Sequence, residues 1–178
     1  MNERILSCPV PQNINPLSPN GYLFSIQKLP SISYFAQSVS LPLITLTEAD
    51  VTTPFVTVPV PGDRPEFSAF SIQFLIDEKM ENYKAVHNWI TGLGFPDNYE
   101  QYTNFIGNDA VNNSEYSKNT SDATLIVLGN NNLPIQTIKF FDCWPDSLGS
   151  ITFTSNNQDV QYLVGEASFR YTHYLFQD

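Results

Sequence analysis

The chain of 178 residues has the length of one domain and is long enough to bury a substantial core. Its 18 acidic and 8 basic residues give a formal net charge of −10, which argues against tight binding to DNA or RNA, because such binding needs clustered cations. Charged residues make up only 15% of the chain, so much of the surface must be uncharged and polar or be covered by partners. The acidic excess can also be explained as charge that only keeps the protein in solution.

The first predicted segments are an extended arm and two strands. Residues 1–20 contain four prolines and are predicted to form an extended N-terminal arm, whereas residues 21–178 are predicted to form one domain. Alternation of apolar and polar side chains predicts strands over residues 22–26 and 33–40. No secretory signal or membrane-spanning segment is predicted. The two cysteines are expected to be free thiols in a protein that is made in a reducing cytoplasm.

The segment at about residues 43–67 is β-prone but is interrupted by prolines. Proline cannot donate to a strand ladder, so this segment suits an edge strand or a projecting hairpin. Such a hairpin would expose apolar side chains that a neighbouring subunit could cover. The candidate subunit-interface residues are Phe55, Val58, Val60, Pro61, Asp63 and Arg64.

A strand followed by a helix is predicted between residues 70 and 96. Alternating apolar side chains indicate a strand over residues 70–76. Asp77 stands at the predicted N-cap, and apolar residues then recur at spacings of three and four, as on one face of a helix. Gly94 and Pro96 favour the end of this helix. We expect the helix to flank the sheet that contains its own strand.

The C-terminal half is predicted to be an irregular segment followed by strands. Residues 97–121 are rich in Asn, Ser and Tyr without a clear period, which is typical of an irregular insertion. Strands are predicted over residues 123–128, 135–141, 151–154, 160–164 and 167–176, with Trp144-Pro145 ending the second of them.

Side chains that could support chemistry are few. His87 and His173 have no further ligand at metal-binding spacing, and a structural role is favoured for both. The adjacent Asp77 and Glu78 suit a helix cap better than a catalytic pair, and no pattern indicates a reactive thiolate at Cys143. We therefore predict no enzyme, no catalytic or cofactor-binding residues, no metal site and no cofactor.

Three blocks of the sequence resemble the tail-tube family of contractile-tailed, T4-like bacteriophages. They are Val60-Pro61-Gly62-Asp63-Arg64 with the strand at residues 67–76, then residues 77–90, and then residues 140–158 with the last strand. Their order and spacing carry the resemblance, which spans most of residues 21–176. Within the family, the residues at Asn82-Tyr83 and Cys143 resemble those of the baseplate tube-initiator proteins more than those of the main tube subunit.

The resemblance implies a mainly β fold, with a β-sandwich or barrel-like domain, one flanking helix, and inner strands that join a β-barrel across subunits. It further implies a hexameric homo-oligomer that forms rings in the tail tube, or at its baseplate end, around a channel for DNA passage. Its partners would be neighbouring tail tube, baseplate hub or sheath proteins, with DNA only transiently in the lumen. The protein would reside in the phage tail of the virion, without membrane insertion.

A different class of function also fits the residues. A β-sandwich module could bind carbohydrate or a receptor through the Tyr-rich loop at residues 98–116, because aromatic rings stack on sugars. The alternative for these rings is that they anchor the loop to its own domain.

Overall fold

The computed structural model describes residues 14–94, 96–100, 119–155 and 162–177. These residues form nine strands and two helices. The strands are β1 (Tyr22–Ile26), β2 (Ala36–Val39), β3 (Ile44–Thr52), β4 (Thr57–Phe67), β5 (Phe70–Leu75), β6 (Ser121–Leu128), β7 (Pro134–Leu148), β8 (Val164–Arg170) and β9 (His173–Gln177). The helices are α1 (Pro30–Phe35) and α2 (Glu81–Gly94). The predicted mainly β fold is confirmed.

Seven strands form one antiparallel sheet in the order β1-β6-β7-β8-β5-β2, with β9 paired to β7. The strand β7 belongs to two halves of this sheet. Residues 134–143 pair with β6 and β9, and residues 144–148 pair with β8. We call β1, β6, residues 134–143 and β9 the first half-sheet, and β2, β5, β8 and residues 144–148 the second half-sheet. The sheet is open, because β1 and β2 stand at its two ends.

The core lies between the two half-sheets and is dominated by aromatic rings. Phe70 of β5 is fully buried, and its ring centroid lies 4.8 Å from that of Phe140 on β7 and 5.5 Å from that of Phe169 on β8. Complete burial of one such side chain stabilises a fold by roughly 1.5–3 kcal/mol. The period-two pattern that predicted β5 therefore marks the side chains that join the half-sheets.

The helix α1 corrects two predictions. A strand was expected over residues 33–40 and one helix in the whole fold, but residues 30–35 form a second, six-residue helix and β2 begins only at Ala36. Pro30 suits the first turn of a helix because its fixed φ is already helical and its missing N–H has no intrahelical partner there. Ile32 is fully buried and Tyr34 is exposed, which is the outcome of helical rather than alternating packing.

The helix α2 flanks the sheet as predicted, but it starts later. Its first residue is Glu81, four positions after the predicted N-cap, and the Asp77 carboxylate accepts the Glu81 amide hydrogen at 2.6 Å. Asn82 is fully buried; its amide nitrogen donates to the Leu75 carbonyl at 2.7 Å and its side-chain oxygen accepts the Tyr83 amide hydrogen at 2.8 Å. This one side chain therefore connects the start of α2 to the end of β5.

The C-terminal strands differ from prediction in several places. Trp144-Pro145 does not end a strand, and β7 continues to Leu148, because a proline is tolerated where one edge of a strand is unpaired. Residues 151–154 form no strand. Of the strand predicted over residues 160–164, residues 160 and 161 lie outside the described residues, residues 162 and 163 are in no strand, and Val164 is the first residue of β8. The last predicted strand is divided into β8 and β9, which follow one another along the same edge of β7.

Two predicted segments fall largely outside the described residues. Residues 1–13 of the predicted arm and residues 101–118 of the predicted insertion are not among those that the structure describes. The described remainder of the arm, residues 14–20, contains no strand or helix.

Candidate assembly interface

The hairpin of β3 and β4 is a separate two-stranded antiparallel sheet. Every residue of β3 is exposed, and β4 has only two partly exposed positions along its 11 residues. The hairpin continues directly from the second half-sheet, because β3 follows β2 and β4 precedes β5. At this junction the Leu43 amide donates to the Ser68 hydroxyl at 2.9 Å, and the Ser68 amide donates to the Leu43 carbonyl at 3.0 Å.

One face of the distal hairpin is apolar. Ala49 stands opposite Val60, and Val51 opposite Val58. Directly opposed residues of an antiparallel pair share a face, so these four side chains form one surface, which we call the valine face. Val51, Val58 and Val60 retain 51%, 43% and 40% of their accessible surface. An apolar surface of this kind is suited to burial against a partner.

The reverse side of the distal hairpin is different in character. Glu48 stands opposite Pro61 and Asp50 opposite Pro59, so two carboxylates and two prolines share this side, which we call the acidic face. Prolines along β4 leave gaps in the ladder of this long hairpin, which suits a pair of edge strands. The hairpin is therefore amphipathic, although the printed sequence alternates only over short stretches.

The structure brings only two of the six predicted interface residues together. Val58 and Val60 lie side by side on the valine face, whereas Pro61 lies on the acidic face. Phe55 lies in the turn at the tip and is 98% exposed. The remaining two predicted residues occupy an irregularity of the ladder.

That irregularity contains Asp63 and Arg64. The register shifts between the pairs Leu46–Pro65 and Glu48–Pro61, so β4 has extra residues there. The Arg64 carbonyl accepts a hydrogen bond from the Thr47 hydroxyl at 3.3 Å.

Sequence reasoning missed Ala49 and Val51 of the valine face. The signal was present, because these two residues alternate with Glu48 and Asp50. The alternation in β3 is short, and only the register of the hairpin places it beside the short alternation of β4.

The second half-sheet leaves both of its margins without a strand neighbour among the described residues. At one margin is the outer edge of β2, and at the other is the edge of residues 144–148 that faces away from β8. Unpaired N–H and C=O groups along an edge strand are a template for pairing with another chain. The two margins are at opposite ends of one four-stranded unit, which allows head-to-tail addition of copies.

The two histidines lie in different environments. His173 stacks on Phe141, with ring centroids 4.7 Å apart, and His87 is exposed on α2. Within the described residues, no group of three His, Cys, Asp or Glu side chains could hold a metal ion. No helix in the described part of the chain has the length and apolar character needed to cross a membrane.

Cys143 is a fully buried free thiol on β7. Burial, with smaller contributions from the nearby carboxylates of Asp122 and Asp142, raises its pKa to about 12. A thiol held neutral in this way is a poor nucleophile. Cys143 therefore acts as a core side chain.

Comparison with known proteins gives consistent matches along almost the whole chain. The sequence profile of the family described as "phage tail tube protein" matches residues 17–177. The tail tube terminator protein of Enterobacteria phage T4 is 24% identical over 176 residues, which cover 95% of this chain and 93% of the T4 protein.

Three solved assemblies contain chains of similar fold. The sheath/tube terminator of an extracellular contractile injection system, in its extended state, is 17% identical, with a TM-score of 0.56 and coverage of 92% of this chain and 98% of that chain. The tube-terminating cap of the anti-feeding prophage is 12% identical, with a TM-score of 0.56 and 98% coverage of each chain. A sheath–tube complex of the same injection system is 17% identical, with a TM-score of 0.53 and 91% coverage of each chain.

Proposed function

Because the chain belongs to the phage tail tube protein family and is a structural component of the virion tail, we propose that it assembles as a ring that ends the tail tube. Support for this terminal position comes from the T4 relative, described as a tail tube terminator, and from two terminator structures of similar fold. We prefer it to the tube-initiator role at the baseplate. The nearest partners are then other tube proteins and the surrounding sheath.

The observation that carries the ring is the pair of open margins of the second half-sheet. In a closed ring, the outer edge of β2 in one copy pairs with residues 144–148 of the next copy, so each copy contributes four strands to a shared barrel. Closure removes every exposed edge of this half-sheet and so satisfies the backbone groups along it. The ring has six copies in this proposal, and its central channel admits DNA only transiently.

The hairpin supplies the contact along the tail axis. The valine face is covered by a neighbouring tube subunit, and Phe55 at the tip reaches beyond it. Burial of this face yields roughly 25 cal/mol for each Å² of apolar surface removed from water. Asp63, Arg64 and Pro61 then lie near the base of the contact and determine how the hairpin is directed.

The role is structural rather than catalytic in this proposal. The alternative function, a module that binds carbohydrate or a receptor, depends on residues 98–116, of which 101–116 are outside the described part of the chain. Tyr99 is exposed, but an aromatic ring of an ordinary surface loop can be exposed too, so this exposure does not favour the alternative.

The experiment compares two neighbouring substitutions on the hairpin. Val58→Asp places a carboxylate on the valine face, whereas Thr57→Asp places one beside it on the opposite side, where Thr57 faces Thr52. An unpaired carboxylate buried in an apolar contact costs several kcal/mol or more, so Val58→Asp should prevent attachment to purified tail tubes. Thr57→Asp should attach as the unaltered protein does.

Attachment is measured by co-sedimentation and by negative-stain microscopy of tube ends. Both variants should unfold in urea within about 0.5 kcal/mol of the unaltered protein, because both sites are on the surface. Attachment of Val58→Asp at the level of the unaltered protein would show that the valine face is not the contact.

A further inference from the structure

The strand β1 has one edge that faces away from β6. The Gly21 carbonyl, just before β1, and the Gln27 amide, just after it, both bond to backbone groups of β6. Backbone groups of an antiparallel strand point alternately to its two sides. Those of Tyr22, Phe24 and Ile26 therefore point to the outer edge of β1, where no further strand pairs with it in the described chain.

The outer edge of β1 is closed at one end and open at the other. The Ile26 amide donates to the Ser33 hydroxyl at 3.2 Å, and the Ile26 carbonyl accepts the Leu29 amide hydrogen at 3.2 Å. Among the described residues, the backbone groups of Tyr22 and Phe24 have no such partner on this side. A short edge of two residues is left that can pair with another extended segment.

A groove lies beside this open edge. Its volume is about 460 Å³, with Tyr22 and Phe24 of β1 on one side and Tyr34 and Gln37, from α1 and β2, on the other. The Tyr34 side chain is 85% exposed. No charged side chain is among the described residues that line the groove. The groove therefore suits an uncharged extended segment that adds a strand to the sheet edge and offers an apolar side chain to the rings.

The chain contains a segment of this kind just before β1, at residues 14–18, which we call the arm segment. It carries no charged residue. Its Ile14 and Leu17 side chains retain 77% and 60% of their accessible surface. Asn15 and Ser18 each precede a proline, which favours extended backbone. Exposed apolar side chains on an extended segment are suited to burial against a partner.

The position of Pro16 fits an added edge strand. When Leu17 pairs with Tyr22, the backbone amide and carbonyl of Leu17 face β1, and the missing N–H of Pro16 falls on the far side. Directly opposed residues share a face, so the Leu17 side chain lies on the same side as the Tyr22 ring. That ring packs against the aromatic core, and Leu17 would extend the core into the groove.

The arm segment of a second copy can reach the groove more directly than that of the same chain. Within one copy, Pro19 lines the groove, yet Leu17 two residues before it remains exposed. In the proposed ring the outer edge of β2 pairs with the next copy, so the groove beside β2 opens at the boundary between copies. The residues from 14 to 20 span about 23 Å when extended, which exceeds the radius of gyration of about 16 Å expected for a domain of this length.

We propose that the arm segment of each copy adds a short strand to the open edge of β1 in an adjacent copy of the ring. This inference rests on the proposed ring and adds a second contact between its copies. Each copy has a net charge of −10, and a contact between an uncharged segment and an uncharged groove avoids repulsion at that point. A ring that ends a tube has a further ring on one side only, and the exchanged segments strengthen it from within.

The exchange is tested by cross-linking two singly substituted proteins in mixed rings. Both carry Cys8→Ser, and Cys143 is fully buried. One has Leu17→Cys and the other Tyr34→Cys, so a short bismaleimide can join these two positions only between copies. Mixed rings, formed alone or on purified tail tubes, should give the linked peptides in mass spectrometry. Asn88→Cys, at an exposed position of α2, replaces Tyr34→Cys in the control and should give no link.

The ways to fail are distinguishable. Intact mixed rings without the link between positions 17 and 34, or with an equally frequent link to position 88, would overturn the exchange and leave the ring standing. A doubly substituted protein that links Leu17→Cys to Tyr34→Cys within one unassembled chain would place the segment in its own groove and overturn the exchange too. A failure of the unaltered protein to form or join any ring would overturn the proposed function, and the exchange with it.

The contribution of the arm segment to assembly is measured with Leu17→Asp. A carboxylate in the groove loses its hydration without gaining a cation, so the concentration at which half of the protein is in rings should rise about tenfold or more. The urea midpoint of the unassembled protein should not change, because Leu17 is exposed in a single copy. Asn88→Asp adds the same charge outside the groove and should assemble as the unaltered protein does. Equal assembly of the two variants would overturn the proposal.

Discussion

The core and the hairpin use similar residues for opposite purposes. Phe70, Phe140 and Phe169 are fully buried between the half-sheets, whereas every residue of β3 is exposed although it includes Ile44, Leu46 and Val51. The core gains its stability from rings that contact each other within one chain. A two-stranded hairpin without such contacts is marginally stable at best in water.

An apolar pattern alone does not determine which molecule will cover it. In β5 the alternating buried side chains face the first half-sheet of the same chain. In the hairpin, Val51, Val58 and Val60 also alternate with polar residues or prolines, but they retain 51%, 43% and 40% of their accessible surface. Within the described residues, the chain covers its own core but leaves the valine face of its hairpin exposed.

The largest expected effect of a single substitution is at the centre of the core. Phe70→Ala should destabilise the protein by about 3–5 kcal/mol, because it removes a fully buried ring that contacts Phe24, Phe140 and Phe169. Urea unfolding followed by tryptophan fluorescence measures this loss. The matched change Val51→Ala on the hairpin should alter the unfolding free energy by no more than about 0.5 kcal/mol. Similar losses at both sites would remove the distinction between the two regions.

A smaller effect is expected where α2 joins the sheet. Asn82→Ala removes the donor to the Leu75 carbonyl and the acceptor of the Tyr83 amide, and it leaves these groups without their buried partner. The expected loss of unfolding free energy is about 1–3 kcal/mol. Asn88→Ala, at an exposed position of the same helix, is the control and should change little. A neutral Asn82→Ala would mean that the side chain does not connect α2 to β5.

The smallest effect concerns alkaline pH and the buried thiol. The pKa of Cys143 is raised from 9.0 to about 12 by burial, so the folded state keeps its proton while the unfolded state releases it. The stability that the neutral thiol contributes is therefore complete below pH 9 and is lost as the pH rises from about 9 to about 12, by at most about 1.4 kcal/mol per pH unit. Urea unfolding at pH 8 and pH 10 should show this loss.

Cys143→Ala tests the origin of that pH dependence. The variant lacks the titrating thiol, so its unfolding free energy should fall less between pH 8 and pH 10 than that of the unaltered protein. Tyr171 also has a raised pKa through burial, but it titrates later and is present in both proteins. Parallel losses in the two proteins would assign the alkaline effect to other groups.

The parts of the fold that could be predicted from sequence are those set by local pattern. The strand β5 follows from alternation and the helix α2 from helical spacing. A β-prone segment with prolines predicts the exposed hairpin that carries Val58 and Val60. Helix α1 was missed because residues 33–40 alternate by chance, and burial of Ile32 overrides that pattern. The start of α2 was misplaced because Asp77 caps from four residues away.

Other features depend on distant partners and leave no local signal. The continuation of β7 through Trp144-Pro145 is set by its pairing with β8, more than 20 residues further along the chain. The valine face exists only once Ala49 and Val51 are brought opposite Val60 and Val58.

The long strand β7 has a mechanical consequence. Its 15 residues, about 50 Å at the usual rise of a strand, belong to both half-sheets, with a positive φ at Asp142 and a register shift between Pro145 and Ser147. Tension applied to the second half-sheet is therefore transmitted to the first through covalent bonds and not only through contacts between side chains. In a ring made of such copies, β7 would link the barrel strands of each copy covalently to the half-sheet behind them.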